Sequence, residues 1–161
     1  MKSIYAPWRM AYIKGKKVEG CVFCKESVRD DQYVLLEGKT AFVMLNAYPY
    51  TNGHLMIIPY RHLGSLEFLL PEERLEMFDL VDISVRVLKE AMCPDGFNIG
   101  INLGRAAGAG IEDHIHIHVV PRWNGDTNFM SVVGGIRVIP DDILKCCEQI
   151  KCLFDKYRPE E

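Results

Sequence analysis

Three histidines alternate with β-branched residues in His114-Ile115-His116-Ile117-His118-Val119-Val120, and no other stretch of this chain restricts the fold as much. On a helix, side chains two residues apart splay around the axis. On a strand they point the same way, and isoleucine and valine favour the strand. One face of this segment therefore carries three imidazoles spaced about 7 Å apart along the backbone, and the other an aliphatic stripe suited to burial. The chain has five histidines, so most of its imidazole chemistry lies here. Near neutral pH an imidazole can act as nucleophile, general acid or base, or metal ligand. A plain solvated face would be served equally well by serine, threonine or lysine. A single catalytic metal held by all three histidines is a weak alternative, because i,i+2 residues on a flat strand do not converge on one ion and no carboxylate completes the set.

The 161 residues suit one domain with a single core: an arm over residues 1–20, a body over 21–157 and a short tail over 158–161. A net charge of −3 gives no reason to expect a nucleic-acid partner, so a small anionic substrate must be held by local donors. No apolar run reaches signal-peptide or membrane-spanning length, and the expectation is a cytoplasmic protein without a membrane partner. Six cysteines in such a chain read as thiols or ligands rather than a disulfide framework.

The arm, with Tyr5, Pro7, Trp8, Met10 and Tyr12, is too apolar for a free tail and is expected to pack on the body or on a second subunit. Strands are predicted at 33–37 and 40–45, joined at Gly38-Lys39, then at 54–59 and 97–103, and through the histidine segment. A helix is predicted from Pro71 to Met92, with an apolar stripe of Leu75, Phe78, Val81, Val85, Leu88 and Met92. Pro71, Glu72 and Glu73 suit its first turn, and Pro94-Asp95-Gly96 stops it. A last helix over 140–157 carries Ile143, Cys147, Ile150 and Phe154. Mixed helices and mostly antiparallel strands make the class α+β.

Cys21-Val22-Phe23-Cys24 supplies half of a tetrahedral metal site, and His62 and His114 are the candidates for the other half. The glycine-rich turn from Gly104 to Gly110 lets backbone N–H groups approach phosphate oxygens, next to Asn102. A strand follows it, so it is no dinucleotide-binding loop of the strand–helix kind. Asn46 can close an Asx turn by itself. Trp123 can lie over phosphates or a base, or plug the core.

His-φ-His-φ-His-φ-φ, with φ apolar, resembles the signature of the histidine triad (HIT) superfamily of nucleotidyl hydrolases and transferases. The extension His114–Trp123 and the string PRWNGDTNFM are similar to the fragile-histidine-triad and diadenosine tetraphosphate phosphorylase side of it. The resemblance runs from about Tyr5 to the last helix. It implies a five-stranded antiparallel sheet with helices, and a homodimer formed through the long helix and sheet ends. It also implies a structural zinc ion (Zn2+) on Cys21, Cys24, His62 and His114, with ribose at Asn46 and phosphate at Asn102. Gly53-His54 falls on the family's Gly-His pair. One departure stands out: Gly110 and Ile111 occupy the place where members often carry a Ser, Thr or Gln donor, for which the N–H groups of Ala109 and Gly110 can substitute.

The reading that follows makes His116 the nucleophile on the α-phosphorus of a nucleoside polyphosphate, with His118 stabilising charge and His114 on zinc, ordering the site. Water or phosphate then releases the nucleotide. A dinucleoside polyphosphate is the favoured substrate. A nucleoside 5′-phosphoramidate hydrolase and a nucleotide sensor without turnover are the alternatives.

Overall fold

In the computed structural model the described residues are 20–24, 28, 32–127, 133 and 142–157. The arm, the tail and Asn128-Phe129-Met130 lie outside them. One sheet is formed in the order β1-β2-β3-β5-β4, with every neighbouring pair antiparallel. Its strands are β1 (Val34–Glu37), β2 (Ala41–Leu45), β3 (Leu55–Pro59), β4 (Gly96–Ile101) and β5 (Ile117–Arg122). The helices are α1 (Pro71–Met92) and α2 (Ile143–Lys156). This is the α+β arrangement expected.

β2 and β3 are buried along their whole length, because both faces of the sheet are covered there. Val43, Leu45, Leu55, Ile57, Ile117 and Val119 join the buried faces of α1 and α2 in the main core. Phe42, Met44, Met56 and Ile58 point the other way and pack with Phe23 and Val28 in a smaller cluster. The histidines lie on this second face. Opposite His118 in the register stand Met56 on β3 and Gly100 on β4.

Three boundaries differ from expectation. β5 begins at Ile117, so His114 and His116 precede the ladder; the chain bends at His114, and the Ile115 N–H ties the segment down by donating to the Leu63 carbonyl at 2.7 Å. β4 ends at Ile101, leaving Asn102 and Leu103 in the following loop. α2 starts only at Ile143, where the Asp142 carboxylate accepts the N–H groups of Leu144 and Lys145.

The predicted stripe of α1 is also partly wrong. The buried face runs through Glu73, Met77, Leu80, Val81, Ser84, Val87 and Leu88, while Leu75 and Phe78 are 66% and 64% exposed. The helix carries two overlapping apolar stripes, and the sheet covers one. Glu73 belongs to the covered stripe because Arg61 grips it with two bonds of 2.6 and 2.7 Å, and because it accepts the Leu70 N–H at helix entry. The Arg61 bonds hold the Glu73 carboxyl below the usual carboxylate range. Arg61 itself stays half in water, so the pair contributes stability only on the order of 1 kcal/mol. Its larger effect is positional: it anchors the segment that carries His62.

Candidate active site and metal-ligand cluster

All five histidines of the chain meet on one side of the sheet. Ring centroids are 5.2 Å apart for His62 and His114, 4.7 Å for His116 and His118, and 5.1 Å for His54 and His118. The triad histidines are buried, as is His54. Burial pushes His114 and His116 below the ordinary imidazole range, and burial with His116 nearby brings His118 to about 4. The triad rings are therefore neutral at physiological pH.

The hydrogen bonds fix where each proton sits. His116 Nδ1 is 2.8 Å from the His114 carbonyl oxygen, which can only accept, so Nδ1 carries the hydrogen and Nε2 keeps its lone pair. His54 Nδ1 accepts the Tyr50 backbone N–H at 3.0 Å, so His54 carries its hydrogen on Nε2. That Nε2–H donates to His118 Nδ1 at 2.9 Å, and His118 is left with its hydrogen on Nε2. Among the described residues, His118 Nε2 is the one buried side-chain polar atom without a partner. Leaving a buried donor unsatisfied costs about 1–3 kcal/mol, a penalty that makes sense at a binding site. The result is a bare nitrogen on His116 beside an unused donor on His118.

His54 was not singled out as a site residue by sequence reasoning. Its signal is the strand period: His54, Met56 and Ile58 share a face, while Leu55 and Ile57 face the helices. Because both faces of β3 are apolar, no polar alternation marks the phase. Tyr50 went unremarked too, although its ring lies over His54 and His118 with centroids 4.5 and 5.6 Å away.

A second cluster lies on the far side of His114. His114 Nε2 donates to the Pro59 carbonyl at 2.8 Å, which leaves Nδ1 bare and 3.2 Å from Cys21 Sγ. Cys24 Sγ is 3.5 Å from His62 Nδ1, and the four ligand atoms all lie within 4.8 Å of one another. Tetrahedral zinc with bonds of about 2.0–2.3 Å needs ligand atoms some 3.5 Å apart. Two sulfurs, two imidazole nitrogens and a ring fixed by a backbone carbonyl make a donor set that fits such an ion.

A cavity of about 1080 Å3 opens beside His118, walled by Tyr50, Asn98, Gly100, Asn102, Trp123 and others, and it is large enough for a nucleotide. Gly100 helps to make it, since a Cβ there would meet only open space. Asn102 and Trp123 thus line the cavity. Trp123 is held by its indole N–H on the Met92 carbonyl. Asn46, Ala109 and Gly110 are not among its walls. Asn46 accepts the Tyr48 N–H at 2.8 Å, forming the Asx-type turn, and its amide nitrogen is 3.3 Å from His54 Nδ1. The Ala109 N–H turns back to the Gly104 carbonyl at 3.3 Å.

The neutral state of His118 has a consequence for stability. Its pKa is about 4 when folded and about 6.5 when unfolded, so between these values the unfolded chain binds a proton that the folded chain refuses. Stability should be complete above pH 6.5 and fall as pH drops towards 4. Melting temperatures measured from pH 6.5 to 5, above most carboxylate titrations, should decline for the parent and decline less for His118→Gln. Equal slopes would contradict the assignment.

The HIT domain family model matches residues 28–125. The chain is 45% identical over 111 residues to an AP-4-A phosphorylase of Mycobacterium tuberculosis, covering 69% of this chain and 57% of that protein. It is 35% identical over 113 residues to an adenylylsulfatase of Arabidopsis thaliana, covering 69% and 56%. The chain thus spans little more than half the length of these two relatives. Among solved structures, a zinc-bound histidine triad family protein of Mycobacterium smegmatis superposes with a TM-score of 0.69 at 31% identity, covering 85% of this chain and 94% of that one. Together with the five-stranded sheet and the buried histidine row, these matches show that the chain belongs to the HIT family.

Proposed function

We propose that this protein cleaves dinucleoside polyphosphates, such as diadenosine tetraphosphate, at an α-phosphate through a nucleotidyl-histidine intermediate, and passes the nucleotidyl group to phosphate or water. The observation that carries the reading is the paired tautomer state: a bare Nε2 on His116 next to an unpartnered Nε2–H on His118. His116 Nε2 attacks the α-phosphorus. The new N–P bond forms as the P–O bond to the leaving nucleoside polyphosphate breaks, and the leaving group takes the electron pair. The modified ring becomes cationic, and its Nδ1–H is stabilised by the His114 carbonyl. The His118 Nε2–H serves the phosphoryl oxygens, and His54 holds His118 in that tautomer. Phosphate oxygen then displaces His116 to give a nucleoside diphosphate, or water gives the monophosphate. The AP-4-A phosphorylase relative supports the substrate class. The adenylylsulfatase relative favours one second reading, in which the same step acts on a smaller adenylyl compound, as it would on an adenylylated amine.

Cys21, Cys24, His62 and His114 are proposed to hold a structural zinc ion, which supplies a cross-link and leaves no open position. A homodimer is proposed across the outer face of α1 and the β4 edge, where Leu75, Phe78 and Ile99 are exposed.

Incubation with diadenosine tetraphosphate decides the reaction. ADP plus ATP formed only with phosphate marks a phosphorylase, and AMP plus ATP in either case marks a hydrolase. His116→Ala should lower turnover by at least about a thousandfold; full turnover in that variant would falsify the mechanism. Elemental analysis of metal-replete protein should give about one zinc per chain, and Cys24→Ser should lose most of it; a parent protein without zinc argues against the cross-link. Sedimentation should show a dimer that Phe78→Glu weakens, whereas a monomeric parent protein contradicts the proposed interface.

A further inference from the structure

We propose that Arg105 grips the phosphates beyond the one attacked, and so makes this site select nucleoside polyphosphates over monophosphates; the inference rests on the nucleotide reading above. The histidine row is neutral, for the reasons of burial given, and supplies hydrogen bonds without net charge. Every other described arginine is already engaged. Arg61 is bound to Glu73 and Arg86 to Asp82. Arg74 donates to the Leu66 carbonyl. Arg122 reaches the cavity wall but is neutralised by Asp126 through bonds of 2.5 and 2.7 Å, and its remaining nitrogen donates to Asn98. Arg105 alone among the described arginines has a guanidinium with no hydrogen bond or ion pair, and it is exposed to solvent.

Its position matches the task. Ile101 pairs with Ile117, so the loop from Asn102 to His116 closes the β4–β5 hairpin, with the nucleophile at one end and the cavity-lining Asn102 at the other. Arg105 is not itself a wall of the cavity, but it lies three residues past Asn102, which is one, at most about 10 Å of chain away and within reach of a long side chain. Part of the loop's backbone is committed elsewhere. The N–H groups of Ala107, Gly108 and Ala109 turn back to the carbonyls of Gly104 and Arg105, at 3.0 to 3.3 Å. These amides hold the loop's own turn, in which Gly104 and Gly108 both take positive φ. A loop with three committed amides and one unpaired guanidinium offers its positive charge through the side chain. Guanidinium suits phosphate because its fork donates two parallel bonds to one group. A monophosphate ends before this cation, whereas a polyphosphate chain continues towards it.

The test is equilibrium titration of AMP, ADP and ATP into full-length, metal-replete His116→Asn protein, which binds without turnover. Affinity should climb from AMP to ATP. Adding Arg105→Ala should cut the ATP-to-AMP affinity ratio about tenfold, and Arg105→Lys should retain part of it. Lys151→Ala removes an equal charge from the exposed side of α2 and should leave the ratio as it was. An unchanged ratio in Arg105→Ala, an equal fall in Lys151→Ala, or no climb in the parent each overturns the proposal. Absence of diadenosine tetraphosphate cleavage together with a climb that Arg105→Ala abolishes overturns the substrate assignment and leaves Arg105 standing. Absence of any nucleotide binding defeats both.

Discussion

The constraint on which the rest depends is the alternating burial of residues 114–119 as the chain enters β5. One backbone bond, from Ile115 to Leu63, anchors the segment before the ladder begins. With it, Ile115, Ile117 and Val119 enter the main core and the three histidines face the opposite side. A one-residue slip would bury imidazoles among leucines and expose isoleucines, so the hydrophobic effect fixes the register and the register fixes the chemistry. His114 then serves two clusters at once. Its ring faces Cys21, and its carbonyl sets the His116 tautomer.

Electrostatically, the site is organised by oriented neutral dipoles. Desolvation keeps the triad imidazoles uncharged, and three hydrogen bonds, two of them in succession, then determine which nitrogen is a donor and which is bare. That order begins at the backbone N–H of Tyr50, a loop residue, and ends at His118 facing the cavity. A nucleophile that needs no deprotonation and a donor already aimed both reduce the reorganisation required at the moment of bond exchange. Ion pairs lie towards the periphery, as in Arg122 with Asp126 and Arg61 with Glu73. There they hold loops in place.

Several sequence expectations met competing physics. Leu75 and Phe78 read as core because their spacing is helical, yet spacing cannot say which of two overlapping stripes meets the sheet. The inward turn of Glu73 towards Arg61 accompanies the other choice. Asn46 makes the Asx turn that its sequence also offers, beside the ribose role the family pattern implies, and the Ala109 N–H, a substitute for an absent side-chain donor, bonds to the Gly104 carbonyl. His54 was passed over because β3 is apolar on both faces, which erases the alternation that reveals a phase.

The sequence by itself determined the strand periodicity at the triad, the span of α1 and the α+β class, since these follow from local steric preference and the spacing of apolar residues. It also brought Cys21, Cys24, His62 and His114 forward as candidates for one metal set, through ligand chemistry and family pattern. Only the tertiary structure decided the joining of His54 to His118, the direction of each imidazole proton, the unpartnered Nε2 and the freedom of Arg105. These depend on contacts between residues far apart in the chain: His54 and His118 are 64 positions apart. No local propensity encodes such a meeting, because it exists only when β3 and β5 lie side by side.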